Sequence, residues 1–410
     1  MTPDFDVIVA GGGSAGVAAA IGAARCGART LLVERYGFLG GAATAAGVLT
    51  YCGLYVAGDR PRPAVAGAAE EVLAALRALD QPTAPRRSST GNWVVALDPE
   101  ALKLALDRVV RAAGASVRLH GFVTEVERDG DVLVAVTIAT PDGPRRIAAR
   151  AFVDASGDGA VARGAGALLD PHRGAQPGSL PIRIGGVPRD APIGRELMRA
   201  AVAAADAPRG PAGALRANGG FCHRLFDRDE VWWLGVDLAT EDLTAAEMLG
   251  RELAAAFVAA LRHVGGPAWS GVFLLGSGPQ VGLRESGRAA TEETVADADA
   301  AAGRLRPQDG IARAGWPMEV HEAIGRARYA LIGGDGHFDV PLDALRARGV
   351  SNLWVAGRLV GAESGAYGSL QVMGTAFATG QAAGVAAALS GRTKDAADIR
   401  RELRRQGAIL

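Results

Sequence analysis

The chain of 410 residues is longer than one ordinary domain, and its 49% hydrophobic and 21% charged residues are typical of a globular protein. Basic and acidic residues are equal in number, 44 of each, so the formal net charge is zero. Because no block of like charges occurs either, the composition excludes the usual signs of a nucleic-acid partner or of binding to an anionic membrane surface.

The N-terminal segment and the cysteines indicate a cytoplasmic protein. Residues 1–6 are acidic where a signal peptide is basic, and glycines interrupt the apolar sequence that follows. No uninterrupted apolar run approaches the length of a transmembrane helix. Cys26, Cys52 and Cys222 stand at unrelated spacings, which predicts neither a disulfide framework nor a metal site. We therefore expect a reducing compartment, no membrane partner and no bound metal.

The start of the chain predicts a β-α-β unit. An apolar strand over residues 6–10 runs into a glycine-rich turn over residues 11–16. An Ala-rich helix follows to about Cys26, and a second apolar strand covers residues 30–33. This strand–turn–helix–strand context is the one in which a glycine-rich turn binds a dinucleotide.

The glycines of that turn and one acid give the unit its chemistry. Gly11, Gly13 and Gly16 stand in G-x-G-x-x-G register, and Glu34 follows the second strand directly. Gly11 allows the tight turn, Gly13 lets the backbone approach a pyrophosphate, and Gly16 lets the helix pack on the strand. Glu34 accepts hydrogen bonds from ribose hydroxyls and repels a 2′-phosphate. The predicted ligand is a dinucleotide with an unphosphorylated adenosine ribose; a glycine-rich turn of another α/β protein is the alternative.

Further elements follow in chain order. The periodicity predicts a helix over residues 64–80, and Asp98 is the expected N-cap of a second helix. Alternating apolar residues then predict three strands, over residues 117–126, 132–138 and 146–153. The last of these strands ends in a small-residue turn over residues 154–159, which allows backbone to lie close to a ligand.

The rest of the chain predicts a second domain and a return to the first. Residues 166 to about 330 contain proline and glycine breaks, short strands and two Ala-rich helices, and we interpret them as a separate domain. A final strand over residues 352–357 leads into a glycine-rich loop. The last long helix is predicted from about residue 372 to residue 389.

These motifs and their order resemble the FAD-dependent oxidoreductases of glutathione-reductase type, on the branch without a second nucleotide domain. Four segments carry the resemblance: the N-terminal fingerprint with Glu34 and Gly40-Gly41, the helix start at residues 98–103, the segment 154–159, and the strand 352–357 followed by residues 380–387. Together they span nearly the whole chain.

The resemblance implies an α/β fold. A Rossmann-like FAD-binding domain is split between residues 1–165 and 331–410, and an α+β substrate domain covers residues 166–330. Because no histidine adjoins Gly40-Gly41, FAD is expected to bind non-covalently. A helix N-terminus near Val372 would stabilise the negative charge of reduced flavin. The implied FAD-binding residues are Gly11, Gly13, Ser14, Ala15, Gly16, Glu34, Arg35, Gly40, Gly41, Val123, Ala155, Gly157, Asp158, Gly357, Val372 and Met373.

Two positions depart from the family pattern. Relatives often carry Arg-Glu-Thr-Arg where this chain has Arg284-Glu285-Ser286-Gly287, and they often carry an arginine where it has Gln371. Two cations expected near the flavin are therefore missing. Their absence argues against a substrate whose carboxylate needs them.

The candidate catalytic residues lie in the late loops and in the second domain. One G-x-G-x-x-G without a second copy favours reduction of the flavin by the substrate itself, with hydride passing from a substrate carbon to flavin N5. A core or surface role is the alternative for each candidate. The residues that could act as a base or position the substrate are His337, Glu363, Tyr367, Gln371 and Arg284.

We therefore expect a dehydrogenase or oxidase that acts on a small organic substrate and passes electrons to O2 or to a carrier. One alternative is a flavin monooxygenase reduced by NAD(P)H. Another is an FAD-binding protein without turnover. The substrate, the bond oxidised and the oligomeric state stay open at this point.

Overall fold

Strands and helices alternate at both ends of the chain, and strands dominate its middle. The structure is a computed structural model that describes residues 3–88, 90–167, 176–393 and 395–410. The strands of the described residues are β1 (Phe5–Ala10), β2 (Thr30–Val33), β3 (Thr50–Cys52), β4 (Tyr55–Val56), β5 (Arg62–Pro63), β6 (Arg86–Arg87), β7 (Trp93–Ala96), β8 (Ser116–Arg118), β9 (Phe122–Asp129), β10 (Val132–Thr140), β11 (Gly143–Asp154), β12 (Gly178–Ser179), β13 (Ile182–Gly185), β14 (Gly213–Leu215), β15 (Phe221–Arg224), β16 (Glu230–Leu234), β17 (Val236–Leu238), β18 (Phe273–Ser277), β19 (Gly310–Ala314), β20 (Met318–Ala323), β21 (Arg326–Ala330), β22 (Phe338–Pro341) and β23 (Leu353–Val355). The α-helices are α1 (Ser14–Arg25), α2 (Ala68–Arg77), α3 (Pro99–Ala112), α4 (Ala160–Gly164), α5 (Arg195–Ala204), α6 (Leu243–Val264), α7 (Asp297–Ala302), α8 (Ser364–Leu370), α9 (Met373–Leu389) and α10 (Ala396–Arg405). Short 3-10 helices cover Pro267–Trp269, Leu342–Leu345 and Gly357–Leu359.

A parallel sheet built from both ends of the chain organises the first unit. Strands β8, β2, β1, β11 and β23 lie side by side, and every neighbouring pair is parallel. The C-terminal half of β11 pairs with β23, whereas its N-terminal half pairs with β10, and β9 completes an antiparallel arm. This is the predicted α/β class with a split Rossmann-like unit. Because the carboxyl ends of parallel strands meet at one edge, the loops after β1, β11 and β23 converge.

Helix α9 joins the C-terminal part of the chain to the N-terminal part. It is buried along nearly its whole length and packs against α1. Gly380 and Gly384 face Ala15 and Ala19 of α1 so closely that a β-carbon at either glycine would collide with the opposing backbone. The N-termini of both helices are thereby held near the carboxyl edge of the sheet.

Buried residues in the segment from Leu180 to Val281 form a second hydrophobic core. The antiparallel sheets β15-β16-β13-β18 and β12-β17-β14 carry it; α6 packs on them, and α5 packs on α6. Trp233 stacks on Phe257 in this core, with ring centroids 3.6 Å apart. The neighbouring Trp232 faces the other side and belongs to the first core, as the alternation along a strand requires.

Residues before the predicted domain boundary near residue 330 already pack in the core of the first unit. Val295, Ile311 and Met318 are buried in the same core as α1 and α9. The physical reason is strand pairing, because β19 forms an antiparallel pair with β22 from the C-terminal part of the chain.

Other differences are local. The strand predicted over residues 117–126 is two strands, because β8 joins the parallel sheet while β9 joins the antiparallel arm. The helix predicted over residues 64–80 is shortened to α2. The glycine-rich segment before the last helix, predicted as a loop, forms α8, which packs against α9 and β20.

Within the described ranges, no single helix is long and apolar enough to cross a membrane. Taken together, α8 and α9 have sufficient length and apolar composition, but an 88° bend separates them. The same residues contain no group of three or more His, Cys, Asp or Glu side chains that could hold a metal ion.

We predict that Gly384→Ala destabilises the protein, because the new methyl group would collide with the backbone of α1 at Ala19. The expected loss in the free energy of unfolding is about 1–3 kcal/mol, the usual cost of overpacking. Urea unfolding followed by circular dichroism measures it. Gly391→Ala is the matched control, since its β-carbon would meet nothing within 4 Å. An unchanged urea midpoint for Gly384→Ala would contradict the packing described here.

Candidate functional site

A cleft opens at the carboxyl edge of the parallel sheet. Its walls are the turn after β1, the loops after β2 and β11, the turn after β23 and the N-terminus of α9. All of these are backbone segments at the ends of strands or helices, the position where open α/β sheets bind their ligands.

The glycines of the first turn serve two different purposes. A β-carbon at Gly11 (φ +95°) would lie 2.5 Å from Ser156 Cα, and one at Gly16 would collide with the carbonyl oxygen of Gly11. Both glycines are therefore required by the fold. A β-carbon at Gly13 would meet only Gly41 Cα, at 3.6 Å, an ordinary contact. Gly13 instead keeps space free in the cleft, as a bound pyrophosphate requires.

Two helix N-termini face the cleft without a side-chain cap. Ser14 and Ala15 at the start of α1 line it, and so do Met373 and Ala376 at the start of α9. The first N–H groups of an uncapped helix have no intrahelical acceptor, and the helix dipole adds partial positive charge there. Both ends therefore suit groups that carry negative charge.

Glu34 lies in the cleft wall at the end of β2. Its carboxylate accepts hydrogen bonds from the N–H of Gly12 at 2.6 Å and of Tyr36 at 2.9 Å, and it is 5% exposed. Burial raises the pKa of Glu34, whereas the two N–H groups oppose this shift. The carboxylate is therefore held in a fixed orientation with acceptor capacity left for a ribose.

A buried carboxylate fixes the loop after β11. Asp154 accepts hydrogen bonds from the N–H groups of Ser156, Val161 and Ala162 at 2.8–3.0 Å. The hydroxyl of Ser156 donates to it as well. These contacts shape the turn that places Gly157 in the cleft.

Asp158, in the same turn, is shared by two arginines. Its carboxylate lies 2.6 Å from Arg35 Nη2 and 2.9 Å from Arg358 Nη2, and Ser286 Oγ donates at 2.7 Å. Burial raises the pKa of Asp158, but Arg358 and Arg35 outweigh burial, so the net shift is downward. Two cations with one carboxylate leave positive charge for phosphate groups.

A second cavity adjoins the cleft. The two share Gly282, Leu283, Arg358, Gln371 and Met373 among their lining residues. Polar and charged side chains from the second unit and from β20 project into it: Arg216, Arg284, Glu319 and His321. A further pocket that shares Val48, Phe221 and Leu234 with it forms its outer part, which Trp232 and the basic residues Arg86, Arg87 and His223 also line. We call this space the side cavity.

Two arginines of the side cavity share one carboxylate. Arg216 makes a bidentate pair with Asp237, at 2.9 and 2.7 Å. Arg284 Nη2 lies 3.9 Å from the same carboxylate, and Arg284 also donates to the carbonyl oxygen of Pro177. Burial, together with the nearby Arg216, lowers the pKa of Arg284 to about 10. Arg284 remains a cation at neutral pH.

Glu319 and His321 form a second charged group in the side cavity. Glu319 Oε1 lies 3.1 Å from His321 Nε2, Trp316 Nε1 donates to Oε2 at 3.0 Å, and the Tyr329 hydroxyl donates to Oε1. Burial raises the pKa of Glu319, but these donors outweigh it and lower the pKa to about 2. Burial and Arg284 lower the pKa of His321, despite Glu319. At neutral pH the imidazole is therefore neutral, with Nε2–H directed at Glu319.

Most of the residues predicted to hold the cofactor line the cleft: Gly11, Gly13, Ser14, Ala15, Glu34, Arg35, Gly41, Ala155, Gly157, Asp158, Gly357 and Met373. Gly16 and Gly40 support the turns behind it, and Val372 lines the side cavity. Val123 is different, because it is buried in an apolar cluster on the outer strand β9.

The predicted catalytic residues divide in the same way. Arg284 and Gln371 line the side cavity. Tyr367 is buried on α8 outside it, where its hydroxyl donates to the carbonyl oxygen of Arg284 at 3.0 Å. His337 also lies outside both spaces, because the β19–β22 pairing places it beside Arg313. Neither residue lines the cleft or the side cavity.

Glu363 likewise has a structural contact, since its carboxylate accepts from the N–H of Asp297 at 2.7 Å. Four basic or acidic residues of the two cavities were not predicted from the sequence: Arg216, Glu319, His321 and Arg358. Glu319 and His321 are two apart on β20 and so share a face, a signal that could have linked them. Arg358 directly follows the predicted Gly357, whereas Arg216 carries no local signal.

The chain matches the family described as FAD dependent oxidoreductase over residues 6–406. No curated protein matches it. Among solved structures it is similar to a flavoprotein/dehydrogenase from Cytophaga hutchinsonii, with 15% identity, a TM-score of 0.51 and coverage of 98% of this chain and 82% of that one.

Two further solved structures are similar. One is CabE, an aromatic hydroxylase from angucycline biosynthesis, with 15% identity, a TM-score of 0.50 and coverage of 98% and 69%. The other is the flavin-dependent brominase Bmp2 as a triple mutant, with 14% identity, a TM-score of 0.50 and coverage of 98% and 84%. At these identities the likenesses show the fold alone.

We predict that Gly13→Ala weakens FAD binding, because the β-carbon of the new alanine would project where a pyrophosphate would pass. The apoprotein should keep its stability, because this β-carbon meets the protein only at an ordinary contact distance. FAD occupancy from absorbance, and the melting temperature of the apoprotein, measure the two effects. Gly194→Ala, with nothing within 4 Å of its β-carbon, is the control and should keep full occupancy.

Glu34→Ala should also lower FAD occupancy, because it removes the acceptor for the ribose. Full occupancy in both cleft variants would show that the cleft is not the FAD site. A lower apoprotein melting temperature for Gly13→Ala would instead contradict the contact distances.

Proposed function

The chain belongs to the FAD dependent oxidoreductase family, and from this premise we propose that it oxidises a small organic substrate held in the side cavity. FAD is the cofactor, and when bound it accepts a hydride at flavin N5. The observation that carries the proposal is that a cavity lined by Arg284, Glu319 and His321 adjoins the cleft and shares wall residues with it. A dehydrogenase or oxidase needs such a polar cavity next to its cofactor site.

The cleft residues fit FAD. Glu34 would hold the adenosine ribose, and the N-terminus of α1 with Arg35 and Arg358 would hold the pyrophosphate. The uncapped N-terminus of α9 lies where the cleft meets the side cavity. Its partial positive charge would stabilise negative charge on the reduced ring.

His321 is the proposed proton acceptor. It is neutral at neutral pH, and with Nε2–H directed at Glu319 its Nδ1 lone pair is free to accept a proton from a substrate hydroxyl or amine. Glu319 is a positioning residue, because it fixes the tautomer and stabilises the imidazolium that forms. This pair is the candidate acid–base group of the side cavity, which His337 does not line.

A monooxygenase reduced by NAD(P)H is the second candidate. The apolar and aromatic outer part of the side cavity, with Phe221, Trp232 and Leu234, favours it because an aromatic ring would pack there. Against it, the sequence contains no second G-x-G-x-x-G. An FAD-binding protein without turnover is the remaining alternative.

Anaerobic titration of the purified yellow protein separates these functions. We predict that neither NADH nor NADPH bleaches the flavin, whereas an organic substrate does. Rapid bleaching by a nucleotide would support the monooxygenase and overturn the main proposal. If dithionite reduces the flavin but no substrate or nucleotide does, the result would support an FAD-binding protein without turnover.

We predict that His321→Gln slows flavin reduction by substrate about 10²–10⁴-fold, the usual contribution of a general base. In the wild type the rate should fall as the pH drops through the pKa of His321, which is lowered from about 6.5. This fall arises because only the neutral imidazole accepts a proton. Stopped-flow spectroscopy across pH measures both effects.

The histidine variant should also lose this dependence on pH. His263→Gln at the end of α6, distant in sequence from β20, is the control and should keep the wild-type rate and profile. An acid limb that persists unchanged in His321→Gln would exclude His321 as the proton acceptor.

A further inference from the structure

We propose that the substrate is an organic carboxylate and that Arg284 binds its charged group. This assignment rests on the proposed function, because it takes the side cavity as the substrate site. It names a substrate class that the sequence analysis argued against, on the ground that two cations near the flavin are missing at Gly287 and Gln371.

Arg284 is a buried cation with unused hydrogen-bonding capacity. Its side chain is 13% exposed, and its single hydrogen bond among the described residues is to the carbonyl oxygen of Pro177. A guanidinium has five N–H donors. The donors left over lie at the wall of the side cavity, which Arg284 lines.

The nearest carboxylate does not satisfy Arg284. Asp237 is 3.9 Å away and already accepts both bonds of a bidentate pair with Arg216, and the N–H of Gly325 at 3.0 Å. The other acid of the cavity, Glu319, is engaged by three donors of its own. An incoming carboxylate would supply the partner that the protein does not.

Arg288, close in sequence, shows the contrast. It pairs with Glu285, donates to the carbonyl oxygen of Ala362 and lies over the ring of Tyr367, with its guanidinium carbon 4.6 Å from the ring centroid. Its charge and donors are used within the protein. Burying a cation without such partners is costly, which indicates that Arg284 is kept for a ligand.

The surroundings hold Arg284 in place. Tyr367 donates a hydrogen bond to the carbonyl oxygen of Arg284 at 3.0 Å, and the Pro177 carbonyl oxygen accepts one from its guanidinium. A guanidinium fixed in this way binds a planar carboxylate more strongly than a flexible cation does. The predicted catalytic residue Tyr367 thus acts through Arg284 instead of touching the substrate.

The rest of the side cavity indicates the body of the ligand. Phe221, Leu234 and Val48 line it between Arg284 and its outer part. Because these walls are apolar, a monocarboxylate with an apolar body would make contacts there that inorganic phosphate lacks.

The test is isothermal titration calorimetry on the holoprotein with acetate, hexanoate, benzoate and inorganic phosphate, and with the amides of the three acids. We expect at least one acid to bind tighter than its amide and tighter than phosphate. Arg284→Met should raise the Kd of that acid at least about tenfold, the loss of one charge-assisted pair. Arg189→Met, which removes an exposed arginine, is the charge-matched control and should leave the Kd unchanged.

The melting temperature of Arg284→Met shows whether the arginine is merely structural. We expect it to equal or exceed that of the wild type, because Asp237 keeps Arg216 as its partner. A marked drop in melting temperature with carboxylate binding unchanged would overturn the assignment. So would a panel in which no acid binds better than its amide or than phosphate.

These outcomes are distinct from failure of the proposed function. Flavin that is bleached by a neutral alcohol or amine, with no carboxylate binding, would leave the oxidoreductase intact and remove only the carboxylate. Flavin that is bleached only by NAD(P)H would remove the proposed function while the binding data still report on Arg284.

Discussion

The close approach of α9 to α1 is the constraint on which the site depends. Gly380 and Gly384 bring the C-terminal helix into backbone contact with the helix of the glycine-rich turn. Because the two helices are fixed to each other, both of their uncapped N-termini are held at the same cleft. The glycines of this contact are therefore as important to the cofactor site as Gly13, although they lie in the protein interior.

The cleft and the side cavity are built by different means. In the cleft, backbone N–H groups and helix ends face the ligand, and each charged side chain that the structure describes there has a partner, as in Asp158 with Arg35 and Arg358. The side cavity instead presents side chains from separate parts of the chain, and it leaves the donors of Arg284 free. Backbone recognition suits a cofactor common to a family, whereas side chains suit a particular substrate.

This difference explains how much the sequence could predict. Residues that hold the cofactor follow one another at short spacings, such as Gly11 to Gly16 with Glu34, so local pattern located them and the parallel sheet. The side cavity combines Arg216, Arg284 and Glu319, which are joined only by tertiary packing. No periodicity or spacing brings such residues together, so only those next to a recognisable motif could be found.

Two predicted catalytic residues, His337 and Tyr367, lie outside the cleft and the side cavity for the same reason. Both were placed near the flavin because they precede or follow segments of the first unit. For His337, the pairing of β22 with β19 takes the residue away from the cleft. For Tyr367, the glycine-rich segment folds as α8 against α9 and β20, which directs the ring into the core. Long-range pairing and burial decided both outcomes, and neither is visible in a short window of sequence.

In the proposed site, substrate binding and proton transfer are coupled through one charge. Arg284 is among the groups that lower the pKa of His321, so the cation that binds the carboxylate also weakens the base. When the carboxylate binds, its negative charge offsets that of Arg284, and the pKa of His321 rises. The imidazole therefore becomes a stronger base when substrate is present, while Glu319 keeps its orientation unchanged. The coupling is reciprocal, because a protonated His321 favours carboxylate binding by the same free energy by which the bound carboxylate favours protonation of His321.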